Sequence, residues 1–201
     1  MKARIAVFVS GGGTNLQALL DAEKTGVLKD GTIALVVADK PGIGAIDRAE
    51  KADVPCRIIL RKEAGFEEKV LALLQEEKID LVILAGFLGI LSADFLAAFP
   101  GPVLNVHPSL IPSFCGRGFY GLRVHQAVLD YGVKVTGATV HYVNEIPDGG
   151  QILLQKAVCV KDDDTPETLQ RRVMEEAEWL LLPAAAELVS AELVKKKEQN
   201  C

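Results

Sequence analysis

Residues 5–16 read Ile5-Ala6-Val7-Phe8-Val9-Ser10-Gly11-Gly12-Gly13-Thr14-Asn15-Leu16, and this stretch decides the fold. The five leading apolar residues predict a buried strand that ends at the three glycines. Leu16, Leu19 and Leu20 then recur at helical spacing. A strand, a glycine loop and a helix in this order are typical of the first unit of a doubly wound α/β sheet.

The glycine loop is also a candidate phosphate site. Glycines let backbone amides approach a ligand closely, and the N-terminus of the following helix favours an anion. We expect Gly12, Gly13, Thr14 and Asn15 to form this site, with Thr14 or Asn15 also capping the helix. The Gly-Lys-Ser/Thr ending of a P-loop and the third glycine of a dinucleotide fingerprint are missing. Asp39 could still bind a ribose, so a nicotinamide enzyme stays open, as does a plain turn without a ligand.

Further elements alternate along the chain. Strands are predicted at residues 33–38, 57–60, 81–85 and 103–106, and helices at residues 43–52, 66–77, 93–99 and 122–131. Two β-rich stretches, residues 133–143 and 151–160, lack a helix between them and predict an antiparallel edge. The fold class is therefore α/β, an open and mostly parallel twisted sheet with helices on both faces, in one domain over residues 1–201.

The last helix is predicted from its first turn. Thr165 is a good N-cap and Pro166 suits the first helical position. Thr168 stands where a capping box prefers Glu or Gln, so we expect that motif to be incomplete. The helix should run to about Leu188, with a kink or break at Pro183.

Composition excludes several classes of protein. With 22 Lys and Arg against 27 Asp and Glu, the net charge is −5, and no basic stripe suggests a nucleic-acid binder. The lysines at 195–197 are interpreted as a solvated tail. We expect no membrane span, since no apolar run is long enough, and no signal peptide before the first strand. The four cysteines (Cys56, Cys115, Cys159 and Cys201) show no CxxC pair, which predicts reduced thiols, a cytoplasmic location and no metal.

Asn105-Val106-His107-Pro108-Ser109-Leu110-Ile111-Pro112 carries the candidate chemistry. Side chains alternate along a strand, so Asn105 and His107 lie on the same side, at the carboxyl end where open α/β sheets bind ligands. An amide and a protonated imidazole can together stabilise an oxyanion. The alternative is a hydrogen-bonded histidine at a strand end without catalytic function.

Asp148 lies in the turn sequence Pro147-Asp148-Gly149-Gly150, so it could serve the turn alone. Near His107, its carboxylate would favour the charged imidazole and hold a water that relays protons. His141 is expected behind the site or in the core. We expect His125, on a helix, at the surface or in loop packing.

At this point a resemblance becomes evident. Ser-Gly-Gly-Gly-Thr-Asn at 10–15, Leu-Ala-Gly-Phe at 84–87, residues 105–112, His-Tyr-Val at 141–143 and Asp-Gly-Gly at 148–150 follow in order over nearly the whole chain. They resemble the folate-dependent formyltransferase superfamily and, within it, the phosphoribosylglycinamide formyltransferases of purine nucleotide biosynthesis. The resemblance implies a Rossmann-like fold, with 10-formyltetrahydrofolate as co-substrate, no metal, and small-molecule partners only. The chain would act as a monomer or homodimer.

The same resemblance implies roles for individual residues. Asn105 and protonated His107 would stabilise the oxyanion, and Asp148 would tune His107 and relay protons, with Ser109, Thr139 and His141 in support. The glycine loop would bind the substrate phosphate, and Glu175 and Glu178 its phosphoribosyl part. The folate pocket would comprise Leu88, Gly89, Ile90, Leu91, Asn105, Asn144, Glu145, Ile146, Pro147 and Asp148.

Three positions depart from the common pattern of that family. Gly89 stands where many members carry Arg beside the folate, and Gly12 replaces a frequent Asn. The loop at residues 115–121 is longer than in many relatives, and its Arg117 either contacts substrate or is solvated.

Rival functions remain at this stage. A formyltetrahydrofolate hydrolase usually carries an extra N-terminal domain, and a methionyl-tRNA formyltransferase a C-terminal RNA-binding domain. The limits of this chain disfavour both. A formyltransferase acting on another amine stays open. A regulator that binds nucleotide without catalysis, or a nicotinamide oxidoreductase, leaves Asn105 and His107 without a role.

Overall fold

The first strand shows why the sheet is buried on both faces. A computed structural model describes residues 1–199, so the expectation of a reduced thiol at Cys201 lies outside the described residues. β1 (Ala3–Val9) is apolar on both sides, with Val7 in one core and Phe8 in the other. A strand that packs on both faces needs helices on both, which is the hallmark of a parallel α/β sheet.

Seven strands form the sheet. The six that follow β1 are β2 (Gly31–Ala38), β3 (Cys56–Ile58), β4 (Leu81–Leu84), β5 (Val103–His107), β6 (Val135–Tyr142) and β7 (Ile152–Cys159). Their order is β3-β2-β1-β4-β5-β6-β7. The first five strands pair in parallel, and β6 and β7 are antiparallel. The predicted Rossmann-like sheet with an antiparallel edge is confirmed.

Helices cover both faces of this sheet. They are α1 (Thr14–Thr25), α2 (Gly44–Lys51), α3 (Phe66–Glu76), α4 (Ala93–Ala98), α5 (Leu122–Tyr131), α6 (Pro166–Val173) and α7 (Trp179–Gln199). Buried side chains of α3 and α4 share a core with one face of β1, whereas those of α1, α2, α5, α6 and α7 pack on the other. The predicted elements are present, and most of their bounds agree with the prediction within two residues.

The start of α6 corrects one expectation. The Thr165 hydroxyl accepts a hydrogen bond from the backbone N–H of Thr168 at 3.3 Å, and the Thr168 hydroxyl accepts one from the Thr165 N–H at 2.8 Å. The capping box is therefore complete, and the prediction of an incomplete one was wrong. A hydroxyl oxygen accepts a hydrogen bond here as a carboxylate would.

The final helix also differs from its prediction. It does not end near Leu188 but continues to Gln199, because Val189 and Val194 are buried in the core shared with α1 and the sheet. Pro183 lies inside the helix and does not end it. The irregularity lies earlier, in a π-helical turn at Met174–Glu178 between α6 and α7.

Candidate active site

A cavity of about 640 Å³ opens at the carboxyl ends of β4 and β5. This volume is typical of sites for small organic ligands. Its wall includes backbone and side chains from the ends of these strands, from the loop after β5, and from the turn between β6 and β7. The predicted location of the site, at the end of the parallel strands, agrees with the position of this cavity.

β5 and β6 bring the first polar groups of the cavity together. The antiparallel register places His141 opposite Asn105, and Thr139 opposite His107. The Asn105 Nδ2 lies 3.1 Å from the His141 Nε2. The His141 Nδ1 donates to the Tyr142 carbonyl oxygen at 2.9 Å, which fixes the ring with its Nε2 facing the Asn105 amide. Strand pairing thus orients the amide of Asn105.

Asp148 closes this group from the opposite side. Its Oδ2 is 3.5 Å from the His107 Nδ1, and its Oδ1 is 3.6 Å from the His141 Nε2. The Gly116 N–H donates to Oδ2 at 2.8 Å, and the Asn105 amide lies 3.4 Å from Oδ1. The side chain therefore points into the protein, although the residue also sits in a turn.

The backbone and charge state of Asp148 both suit this position. Its φ is +56°, a left-handed conformation that Asp tolerates better than most residues. Burial raises the pKa of the carboxyl, but the hydrogen bond to His141, the charge of His107 and the Gly116 N–H more than offset that effect. The net pKa of Asp148 is below its usual value, so the group is a carboxylate at neutral pH.

His107 faces an acceptor at each ring nitrogen. The Nε2 lies 2.9 Å from the Phe114 carbonyl oxygen, and only a ring N–H can make that bond. The Nδ1 faces the Asp148 carboxylate. A doubly protonated ring satisfies both contacts. Phe114 supplies its carbonyl from a left-handed conformation, with φ +50°, at the start of the loop that follows.

Ser109 and Thr139 support the loop after β5 and do not line the cavity. The Thr139 hydroxyl donates to the Ser109 carbonyl at 2.7 Å and accepts from the Ile111 N–H at 3.1 Å. The Ser109 hydroxyl donates to the Ser113 carbonyl at 2.6 Å. These bonds hold the backbone that follows His107.

The glycine loop reaches the cavity through Thr14 and Asn15, whereas Gly12 and Gly13 stay off its wall. Gly13 has φ +75°, and a Cβ there would lie 2.7 Å from the Cα of Ala45 in α2. Glycine is therefore required for the turn. The N-cap of α1 is Gly13 and makes no side-chain capping bond, so the expectation that Thr14 or Asn15 caps this helix was wrong.

Asn15 instead contacts the π-helical turn. Its Nδ2 donates to the Glu178 Oε2 at 2.6 Å, and its Oδ1 is buried without a hydrogen-bond partner in the described part of the chain. Burial raises the pKa of Glu178, and the bond from Asn15 only partly opposes this. Glu178 lines the cavity, but Glu175 does not, because its carboxylate pairs with Arg171 at the helix surface.

The predicted folate segments also reach the cavity. Its wall contains Leu88, Gly89, Ile90, Leu91, Asn144, Ile146 and Pro147, but not Glu145. Leu88, Ile90 and Ile146 are large apolar residues that are each more than half exposed. Exposed apolar side chains gathered at one cavity indicate a ligand with an apolar surface.

Asp39 is not placed to bind a ribose. It is buried, and its Oδ2 accepts a hydrogen bond from the Ser10 hydroxyl at 2.9 Å. The same hydroxyl accepts from the Leu88 N–H at 3.0 Å. The acid that left a nicotinamide enzyme open is thus part of the internal structure, linking the glycine loop to the segment that begins at Leu88.

His125 was misjudged from the sequence. The structure buries its side chain completely on the cavity wall, and neither ring nitrogen has a hydrogen-bond partner among the described residues. Burial, and secondarily the charge of His107, lower the pKa of His125 to about 4. A buried histidine on an amphipathic helix has no local sequence signal, because the face it occupies depends on how α5 packs.

Two features are absent from residues 1–199. No group of three His, Cys, Asp or Glu side chains in this range is arranged to hold a metal ion. Within the same range, every helix is too short or too polar to cross a bilayer.

Comparison with known proteins shows the family of this chain. The family described as "Formyl transferase" matches residues 3–185. The chain belongs to the formyl transferase family. The family resemblance predicted from the sequence motifs is thereby confirmed.

Similar proteins show how far the likeness extends. The chain is 45% identical to the "Trifunctional purine biosynthetic protein adenosine-3" of Bos taurus, covering 99% of this chain but only 19% of that protein. It is 35% identical to the "Phosphoribosylglycinamide formyltransferase, chloroplastic" of Arabidopsis thaliana, covering 99% and 69%. The solved glycinamide ribonucleotide transformylase 1 of Symbiobacterium toebii superposes with a TM-score of 0.87 at 38% identity, covering 95% and 89%.

Proposed function

We propose that this protein transfers a formyl group from 10-formyltetrahydrofolate to the amine of 5'-phosphoribosylglycinamide, in purine nucleotide biosynthesis. The observation that carries the proposal is the convergence of Asn105, His107 and Asp148, from two distant segments, on one cavity. Relatives and solved structures named for this activity, similar over almost the full chain, support the same reaction.

The three side chains suit the separate steps of acyl transfer to an amine. Asn105 and doubly protonated His107 donate hydrogen bonds to the oxygen that becomes an oxyanion when the amine attacks the formyl carbon. The 3.5 Å between the His107 Nδ1 and the Asp148 Oδ2 is longer than an ordinary charge-assisted hydrogen bond. In this mechanism the Nδ1–H donates to the reacting oxygen while the carboxylate stays beside it.

Asp148 provides the proton path. The amine loses a proton as its new carbon–nitrogen bond forms, and the folate nitrogen gains one as its bond to the formyl carbon breaks. An ionised carboxylate beside both groups accepts the first proton and returns it, directly or through a water. The lowered pKa of Asp148 keeps it ionised for this role, while His107 and His141 hold it in place.

The remaining cavity wall suits the two substrates. Thr14 and Asn15, which line the cavity, would bind the phosphate of the ribonucleotide, and Glu178 on the same wall would bind its ribose hydroxyls. Leu88, Ile90 and Ile146 would contact the folate ring. Among the residues that the structure describes, Cys56, Cys115 and Cys159 are free thiols, which fits our proposal of a cytoplasmic enzyme. We propose that the enzyme acts as a monomer or homodimer.

A direct assay tests the proposal. The protein is mixed with 10-formyltetrahydrofolate, and the folate absorbance is followed with and without 5'-phosphoribosylglycinamide. Turnover that requires this amine supports transfer to it. Turnover without any amine indicates a formyltetrahydrofolate hydrolase, turnover only with a different amine indicates another formyltransferase, and no turnover refutes the proposal.

A further inference from the structure

The segment Leu88–Leu91, called the donor segment below, has backbone groups that the fold does not use. No N–H or carbonyl group of residues 89–91 makes a hydrogen bond within residues 1–199. Phe87 and Leu91 are buried in the core that α3 and α4 share, whereas Ile90 is exposed on the cavity wall. Backbone polar groups need partners, so unpaired ones beside a cavity are available to a ligand.

A buried hydroxyl fixes the start of the donor segment. The Leu88 N–H donates to the Ser10 Oγ at 3.0 Å, and the Ser10 hydroxyl donates in turn to the Asp39 Oδ2 at 2.9 Å. The Arg61 Nε lies 3.9 Å from the same carboxylate oxygen. Ser10 is only 3% exposed, so moving Leu88 away would leave buried groups without partners.

A carboxylate fixes the residue that follows the donor segment. The Ser92 N–H donates to the Glu67 Oε1 at 2.8 Å, and the Ser92 hydroxyl donates to the Glu67 Oε2. Glu67 lies in the first turn of α3, and Ser92 is the N-cap of α4. Both carboxylate oxygens therefore hold one residue, directly after Leu91. The next residue, Glu68, is exposed and makes no hydrogen bond or ion pair within residues 1–199.

We propose that Ser10 and Glu67 are positioning residues for the formyl donor, an inference that rests on the function proposed above. They hold the donor segment at its two ends, so that its unpaired backbone groups meet the heteroaromatic ring of the folate in a fixed geometry. Neither residue lines the cavity, so both act through the segment rather than on the ligand. A segment that is already ordered binds more tightly, because ordering it on binding costs free energy.

The test measures the affinity for each substrate separately by calorimetry. In E67A we expect the Kd for tetrahydrofolate and the KM for 10-formyltetrahydrofolate to rise about fivefold, as for hydrogen bonds to a charged group at a partly exposed site. In S10A, where the lost bonds are buried, both should rise about tenfold. The Kd for 5'-phosphoribosylglycinamide and the kcat should stay within about twofold, because only uniform binding of the donor is lost.

Two variants of α3 serve as controls. E67Q keeps an oxygen that accepts from the Ser92 N–H and an amide that donates to the Ser92 hydroxyl, so it should bind tetrahydrofolate almost as the wild type does. E68A is the matched control, since it removes the same side chain and charge one residue further along the helix. It should bind both substrates as the wild type does.

Unchanged affinity for tetrahydrofolate in E67A or S10A would overturn the inference. An equal loss in E68A, an E67Q as weak as E67A, or a parallel loss of affinity for the ribonucleotide would also overturn it. If S10A does not fold, E67A and its two controls still decide the question. The binding measurement does not depend on turnover. If the wild type binds tetrahydrofolate and E67A weakens that binding, but no product forms, the proposed reaction fails and the positioning role stands.

Discussion

Replacing His125 should remove a loss of folding stability that the protein suffers at acidic pH. The imidazole is fully buried, and neither ring nitrogen has a partner among the described residues. Burial, with a smaller contribution from the charge of His107, lowers its pKa from 6.5 to about 4. A histidine whose pKa is lowered by folding binds more protons in the unfolded chain, so stability falls as the pH falls from about 6.5 to about 4.

The size of the effect follows from these two pKa values. At pH 7.5 the ring is neutral in both states and contributes almost nothing. At pH 5 the unfolded chain protonates the ring almost completely, while the folded protein protonates it very little. Linkage then gives the wild type about 2 kcal/mol less stability at pH 5 than at pH 7.5 from this group alone. In a chain of this size that corresponds to a Tm about 4–8 °C lower.

The assay is urea unfolding of the wild type, His125→Gln and His125→Leu at pH 7.5, 6.5, 5.5 and 5.0. Other groups titrate in all three proteins, so the difference between wild type and variant isolates His125. Each variant should gain about 2 kcal/mol relative to the wild type between the first and last pH, whatever its offset at pH 7.5. A difference that stays constant with pH would refute the reasoning, as would an NMR titration of His125 with a pKa near 6.5.

Four other substitutions, one of them a matched control, test the site and the glycine loop. Asp148→Asn should fold normally and lose about 10²–10⁴-fold in turnover in the formyl-transfer assay, because the proton path is removed; near-normal turnover would contradict the mechanism. Gly13→Ala should lower the unfolding free energy in urea by about 2–4 kcal/mol, through its positive φ and its clash with Ala45, whereas Gly12→Ala, with no atom within 4 Å, should be nearly neutral. Glu178→Gln should stabilise the protein at pH 8, since a buried acid with a raised pKa disfavours folding as the pH rises. The same change should raise the ribonucleotide KM about tenfold. A lower stability would contradict the first expectation, and an unchanged KM would contradict the second.

Much of the sheet was predictable because its residues carry a local signal. The apolar run at residues 81–85 and the glycines at 11–13 depend only on their neighbours for their interpretation. Asn105 and His107 could be placed on one side of a strand by alternation alone. Their meeting with Asp148 required the resemblance to a family, because spacing cannot tell which turn folds back over a strand end.

The features that the sequence did not reveal depend on tertiary packing. His125 is one residue of the amphipathic helix α5, and its complete burial depends on how that helix packs against the rest of the protein. The ion pair of Arg61 with Asp39 joins segments that are ordinary when read separately. The full length of α7 was missed because its last turns look polar, although Val189 and Val194 are buried.

The π-helical turn at Met174–Glu178 changes the direction in which the side chains of α7 point relative to those of α6. An α-helix turns about 100° per residue, so one extra residue in a turn rotates everything after it relative to everything before it. Leu169 and Leu182 both reach the core, on opposite sides of this turn, while Glu178 faces the cavity. Shortening the turn by one residue would rotate α7, so that burial of Leu182 and the position of Glu178 at the cavity could not both be kept. The π-helical turn therefore lets one helical segment contribute to the core and to the ligand site together.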